Sequence, residues 1–340
     1  MVSKRGLTLG KYAPLHKGHQ LVIETALAEM DEVLVMVYDC PEVTAIPLTV
    51  RVNWLRKLYP TIEVIEAWDG PTEVGDTPEI KKKHEEYILQ KLESKKITHF
   101  YCSEFYGEHV SLALGAVNRL VDSDRQIFPI SGTQVRQNPY TFKDYLHPDI
   151  YRDLITNVVF LGAPSTGKTT IASQLAKEYN TLWMPEYGRE YWEKHQIERR
   201  LSLSQLVEIA QGHLEREEIL LSQANQYLFT DTNALTTYQF SLYYHKTVAP
   251  ELAQLTHQAI SRYDLVFLCD VDIPYDCTWY RSGETNRNIF QKQIHNDLIL
   301  RKIPFFTLHG NLNTRINFVK NVLSRYQKYH NLLDLFVKLT

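Results

Sequence analysis

Asn157-Val158-Val159-Phe160-Leu161-Gly162-Ala163-Pro164-Ser165-Thr166-Gly167-Lys168-Thr169-Thr170 sets a short β-prone run directly against a glycine-bounded loop that ends in lysine and two threonines. Four successive apolar residues before Gly162 predict a strand buried on both faces. The loop has the spacing G-x-x-x-x-G-K-[ST], and a helical pattern follows it. In a strand–loop–helix unit of this kind, the loop Gly162, Ala163, Pro164, Ser165, Thr166 and Gly167 wraps phosphate oxygens, its non-proline backbone N–H groups donating to them. Lys168 neutralises the β- and γ-phosphates of ATP, Thr169 ligates Mg2+, and Thr170 adds a hydroxyl at the start of the helix. The unit belongs to a parallel sheet wound with helices on both faces.

Working outward, the same half repeats the alternation, with strands expected at Thr181–Pro185, Tyr227–Thr230, Leu265–Asp270 and Pro304–Leu308. Its clearest helix runs over Leu203–Ala224, opened by a capping box of Ser202 and Gln205. Asp231, just after one strand, is placed to hold Mg2+ or its water. Glu186 follows another strand in Glu186-Tyr187-Gly188-Arg189, where a phosphoryl acceptor could be held by Glu186, Tyr187 and Arg189. Either carboxylate could orient or deprotonate an acceptor hydroxyl. Arg281 and Arg287, in the polar stretch Asp270–Asn288, read as a mobile lid closing on phosphates.

The first half shows the same class of architecture, with strands expected at Gly6–Leu9, Glu32–Tyr38, Ile62–Glu66, His99–Ser103 and Gln126–Ile130, and helices such as His19–Glu29 and Lys81–Leu92. After the first strand comes Gly10-Lys11-Tyr12-Ala13-Pro14-Leu15-His16-Lys17-Gly18-His19. Two histidines three apart at a helix start share one face and sit where backbone N–H groups already favour anions. Gly10 and Gly18 allow close backbone approach. Ser131-Gly132-Thr133-Gln134-Val135-Arg136 supplies hydroxyls and a guanidinium after the fifth strand, and both segments can meet over one crevice at the carboxyl ends of the strands. Such a site suits transfer at phosphorus, where positioning and charge neutralisation dominate.

The chain has 340 residues and a formal net charge of −3, which offers no bulk attraction to nucleic acid or anionic membrane. Its four cysteines, Cys40, Cys102, Cys269 and Cys277, form no Cys-x-x-Cys pair, and three of them, at the ends of apolar runs, read as buried free thiols in a reducing compartment. No apolar run is long enough to span a bilayer and no signal peptide is evident, so a cytoplasmic protein is expected. Pro139, Pro148 and many polar and aromatic residues mark Asn138–Thr156 as the boundary, giving domains of residues 1–150 and 151–340. The fold class is therefore α/β, two doubly wound parallel-sheet domains.

His16-Lys17-Gly18-His19 and Ser131–Arg136 resemble the signatures of the HxGH nucleotidyltransferase superfamily, within it the nicotinamide mononucleotide adenylyltransferases. The resemblance implies that His16 and His19 contact ATP phosphates at the transition state. Gly10, Lys11, Lys17, Gly18, Ser131, Thr133 and Arg136 would hold the triphosphate with Mg2+. Gly132-Thr133-Gln134 departs from the two successive small hydroxyl residues frequent there. With the phosphate loop downstream, the whole chain resembles NadR-type bifunctional proteins, whose C-terminal domain is a ribosylnicotinamide kinase. Glu186–Tyr191, Ser103–Gly107, Val121–Arg125 and Arg51–Arg56 carry that likeness, whereas Tyr275 departs from the family's Pro-Trp form.

The resemblance implies phosphorylation of nicotinamide riboside to nicotinamide mononucleotide, then adenylyl transfer from ATP to give NAD and pyrophosphate. Because the HxGH strand begins by residue 6, no helix-turn-helix module, DNA binding or repressor activity is expected. Self-association and a functional link to a membrane riboside transporter are compatible with the resemblance. Two rival readings stay open on the sequence: a fused phosphopantetheine adenylyltransferase and dephospho-coenzyme A kinase, and a nucleotide-sensing binding protein.

Overall fold

Runs that are apolar along their whole length need cover on both faces, and the computed structural model supplies it. It describes residues 3–73, 75–104, 106–198, 200–275 and 284–330. Two compact units divide at Tyr151 and Arg152, within the helix Pro148–Leu154. The first unit contains β1 (Arg5–Gly10), β2 (Glu32–Tyr38), β3 (Glu63–Ala67), β4 (His99–Cys102) and β5 (Val117–Leu120), hydrogen-bonded in the order β3-β2-β1-β4-β5. The second contains β6 (Thr156–Leu161), β7 (Leu182–Met184), β8 (Tyr227–Asp231), β9 (Leu265–Cys269) and β10 (Phe306–Leu308), in the order β10-β9-β6-β8-β7. All recorded strand pairs are parallel.

Each order places a crevice where the chain reverses its direction across the sheet. In the first unit that point lies beside β1, whose carboxyl end feeds the histidine loop. In the second it lies between β6 and β8, so the phosphate loop and Asp231 emerge side by side. Register confirms the neighbourhood, because Phe160 pairs with Asp231.

One face of the second sheet is an aromatic ladder. Phe160 stacks on Phe229 at 6.3 Å and on Phe267 at 5.6 Å, and Phe267 on Phe306 at 5.6 Å. Cross-strand aromatic pairs of this kind fix register as well as burying area. Ile171 and Leu175 of the helix Lys168–Glu178, with Ile316 and Val319 of the helix Leu312–Arg325, cover that face. Val159, Leu161 and Leu268 point to the opposite core.

The fifth strand of the first unit differs from expectation. Gln126–Ile130 forms no strand; β5 is Val117–Leu120, and the later run is a loop. Asp122 is the cause, since its carboxylate accepts the backbone N–H groups of Gln126 at 2.7 Å, Ile127 at 3.1 Å and Phe128 at 3.1 Å. Those donors are then taken from any ladder. The helix Leu203–Leu221 keeps the expected capping box of Ser202 and Gln205.

Gly162 is set by backbone geometry: its φ is +138°, and an added Cβ would lie 2.6 Å from the Cys269 carbonyl oxygen. We expect Gly162→Ala to destabilise the second unit by roughly 3 kcal/mol, the sum of a strained φ and a clash against rigid backbone. Urea unfolding read by near-UV dichroism measures this, and an unchanged midpoint would contradict the geometry.

Candidate active sites

The first site starts from a helix cap. His16 is the N-cap of the helix Lys17–Glu29; its Nδ1 accepts the Gly18 N–H at 3.1 Å, and the Nδ1 of His19 accepts the His16 N–H at 3.4 Å. The sequence therefore uses histidines where serine and glutamate usually form a capping box. With both Nδ1 atoms accepting, each neutral ring carries its proton on Nε2. The rings stack with centroids 3.8 Å apart, and Tyr12 meets His19 edge-on at 5.0 Å. His16 Nε2 is buried with no hydrogen-bond partner.

Burial, reinforced by Arg125 and Arg136, pushes the His16 imidazole down to about 4. His19 is held well below its ordinary value by burial, then by His16 and Arg136. Both are neutral N–H donors at neutral pH, with positive charge close by, which suits a polyphosphate.

The arginine segment closes onto this pair. A Cβ on Gly132 would stand 3.5 Å from His16 Nε2 and 3.9 Å from His19 Cε1, so the start of the helix Gly132–Gln137 lies against both rings. Arg136 bonds the Ala13 carbonyl at 3.4 Å and the Thr133 hydroxyl at 3.0 Å. Ser131 is engaged in its own capping box with Gln134. Lys11 is half-buried at the end of β1, and Lys17 is exposed in the first helical turn. Arg51, 1 % exposed, binds the carbonyls of Lys11 at 2.6 Å, Tyr38 at 2.7 Å and Ile46 at 3.0 Å, fixing the loop from behind.

In the second site Gly162 and Gly167 both take positive φ, at +138° and +81°, as the loop turns around its interior. Lys168 Nζ bonds the carbonyls of Gly162 and Ala163, each at 3.0 Å, and the Thr166 hydroxyl bonds Ala163 at 2.8 Å. Thr169 donates its hydroxyl to one oxygen of Asp231, while the other Asp231 oxygen is buried without a partner. Burial first, then Glu186, raises the Asp231 carboxyl to about 6, opposed by Lys168 and Thr169. A hydroxyl and a desolvated carboxylate oxygen form the hard-oxygen donor set that fits Mg2+.

A cavity of about 780 Å³ opens beside this loop, lined by Ser165, Thr169, Thr170, Glu186 and Arg189 among the expected residues. Glu186 and Arg189 form an ion pair at 2.7 Å. Tyr187 is not part of that lining; it packs against the apolar core with the Arg216 guanidinium 3.9 Å above its ring, and its ring edge would be 2.5 Å from a Cβ on Gly212. Arg287 also differs from the mobile-lid expectation. It is 3 % exposed and bonds the carbonyls of Ser165 and Ile273, each at 2.9 Å, because the helix Glu284–Leu300 puts it in the first turn, against the loop. Arg281 lies outside the described residues.

Several residues escaped the sequence reading. Arg315, 1 % exposed, bonds Thr166 O at 2.7 Å, Gly310 O at 2.9 Å and Asp270 O at 3.1 Å, with Asp272 as its ion-pair partner. Gln291 accepts the Ala163 N–H at 2.8 Å and donates to Cys269 O at 3.0 Å. A signal existed: Arg51 and Arg315 each occupy the apolar stripe of their helix, beside Leu48 and Leu55 or Val319 and Val322. Asn233, Thr236 and His213 also line the cavity. Asn233 and Thr236 were signalled only by a polar run following a buried strand.

Residues 7–138 match the model of cytidylyltransferase-like domains, and residues 157–315 match an AAA domain model. The chain is 29% identical to the trifunctional NAD biosynthesis/regulator protein NadR of Salmonella typhimurium, over 330 residues that cover 88% of this chain and 77% of the relative. Over most of its length the chain is thus similar to NadR-type proteins. The corresponding NadR of Escherichia coli is 28% identical over the same shares of the two chains. The fold agrees with a crystal structure of NadR protein in complex with NR, at a TM-score of 0.57 and 24% identity across 95% of both chains. A NadR structure with NAD and AMP-PNP matches at a TM-score of 0.54 and 22% identity, covering 99% of this chain and 96% of the other.

Two tests follow from the site geometry. Arg315→Met should cost about 3 kcal/mol in urea unfolding, because buried carbonyls and Asp272 lose their cation. It should also weaken nucleotide binding to the second unit while leaving the first unit's ligand affinity unchanged. The second test concerns His16, whose folded value lies below the unfolded one. Its stabilisation is thus complete above pH 6.5 and is lost as pH falls toward 4. His16→Gln should consequently gain roughly 2–3 kcal/mol relative to wild type between pH 7 and pH 4; parallel pH curves for the two proteins would contradict the assignment.

Proposed function

We propose that this chain makes NAD from nicotinamide riboside in two ATP-dependent steps, one in each unit. The observation that carries the reading is that two separate sites for chemistry at phosphorus occur on one chain, whose similarity to NAD biosynthesis proteins extends over most of its length. The NadR structures with NR and with NAD and AMP-PNP, similar to it in fold, supply the ligand classes.

The second unit is the kinase. Lys168 leaves its loop carbonyls for the β- and γ-phosphates of ATP, and the backbone N–H groups of Ser165, Thr166 and Gly167 hold the remaining oxygens, that of Ala163 being taken by Gln291. Thr169 and Asp231 would hold Mg2+, which supplies charge neutralisation between the β- and γ-phosphates. Asp231 is already engaged by Thr169, so Glu186 is the carboxylate left to orient and accept the proton of the riboside 5′-hydroxyl. Arg189 holds Glu186 in place through their ion pair.

The first unit is the adenylyltransferase. The phosphate monoester made by the kinase is already an anion, so its attack on the α-phosphorus needs electrostatic clamps more than a base. His16 and His19 present Nε2–H donors, and Arg136 adds a fixed positive charge beside them. Pyrophosphate departs with its charge neutralised by those groups and by Lys11 and Lys17.

Single substitutions separate the two activities. Lys168→Ala should lower riboside phosphorylation at least 1,000-fold, an order of magnitude set by loss of a phosphate-clamping charge, while adenylylation of supplied nicotinamide mononucleotide persists. His19→Ala should do the reverse. Chromatographic resolution of mononucleotide and NAD reads both reactions, and joint loss from either substitution would overturn two independent sites.

A further inference from the structure

One side chain of the kinase cavity has no task in the chemistry above. His213 lies on the helix Leu203–Leu221, whose Leu206, Ile209 and His213 face the cavity at helical spacing. It is 4 % exposed, and its Nε2 is buried with no hydrogen-bond partner among the described residues. The obvious protein partner, Glu217 one turn further along, is engaged by other donors. Glu217 accepts from the Thr230 hydroxyl at 2.8 Å, the Tyr263 hydroxyl at 3.3 Å and the Arg262 guanidinium. A desolvated imidazole nitrogen without a partner is costly unless a ligand atom completes it.

Burial holds His213 below its ordinary value, with Glu217 and Glu186 opposing and Arg262 and Arg216 assisting, so the ring is neutral at neutral pH. Glu186 also acts on Asp231, at the phosphate end. His213 and Glu186 line one cavity together with the phosphate loop. In a nucleoside whose 5′-hydroxyl meets Glu186, the next polar group outward is the vicinal diol of the ribose. Trp192 and Phe240 lie in the same lining and offer apolar surface for the base.

We infer that His213 is a specificity-determining residue that hydrogen-bonds a ribose hydroxyl and makes the kinase select ribosides over deoxyribosides. This rests on the kinase reading of the second unit. A site built to pair a hydroxyl rejects the analogue lacking it, because its own polar atom is then left unpaired.

The test compares kcat/KM for nicotinamide riboside and for its 2′-deoxy and 3′-deoxy analogues in wild type, His213→Leu and His213→Gln. Wild type should favour the riboside by about tenfold to a hundredfold over at least one analogue. His213→Leu should bring that ratio to within about threefold of unity, chiefly through KM for the riboside, and His213→Gln should restore part of it. A merely structural histidine would lower all three rates together, and an unchanged ratio in an active His213→Leu enzyme would overturn the inference alone. A wild type that phosphorylates no riboside would overturn the kinase reading and this inference with it.

Discussion

A loop that aims its N–H groups at an anion must turn its carbonyls the other way, into protein, where each needs a donor. Both sites meet this constraint with buried arginine. Arg51 takes the Lys11 carbonyl behind the histidine loop. Arg287 takes Ser165 and Arg315 takes Thr166 behind the phosphate loop. Each guanidinium also reaches a second element, Tyr38 at the end of β2, Ile273 after β9, or Gly310 after β10. The loops are thus tied to the carboxyl ends of neighbouring strands, and the sheet order becomes the geometry of the site. Five donors in a planar fork make arginine suited to joining several carbonyls at once.

Two of the polar groups left incomplete among the described residues are ones the chemistry would use. His16 Nε2 and one Asp231 oxygen are buried without partners, and their ionisation is displaced in opposite directions by the same cause, desolvation. Burying such groups costs stability, which the aromatic ladder across β6, β8, β9 and β10 and the covering helices offset in the second unit. The rigid sheet and the under-satisfied rim are two parts of one design.

Much of this was legible in residue order. Continuous apolar runs located nine of the ten strands, and glycine and lysine spacing located the phosphate loop. Local rules failed where a side chain competed with the backbone or where a charge went inside. The run Gln126–Ile130 has β-prone residues, yet Asp122 captures its N–H groups from outside the run. Arg287 lies in a polar stretch that reads as solvated, yet a helix start turns it inward. His213 sits in the long helix as one polar residue among many, and burial with its Nε2 unpartnered among the described residues distinguishes it.

The histidine cap carries one more consequence. Because each Nδ1 is turned to a backbone N–H, the imidazoles show the reaction site protons and no lone pairs. A water molecule entering such a site finds nothing to take its proton, so it remains a poor nucleophile. A phosphate monoester needs no such help. On the adenylyltransferase reading, the same short motif that closes the helix end would protect ATP from wasteful hydrolysis and reserve its α-phosphorus for an acceptor that arrives already charged.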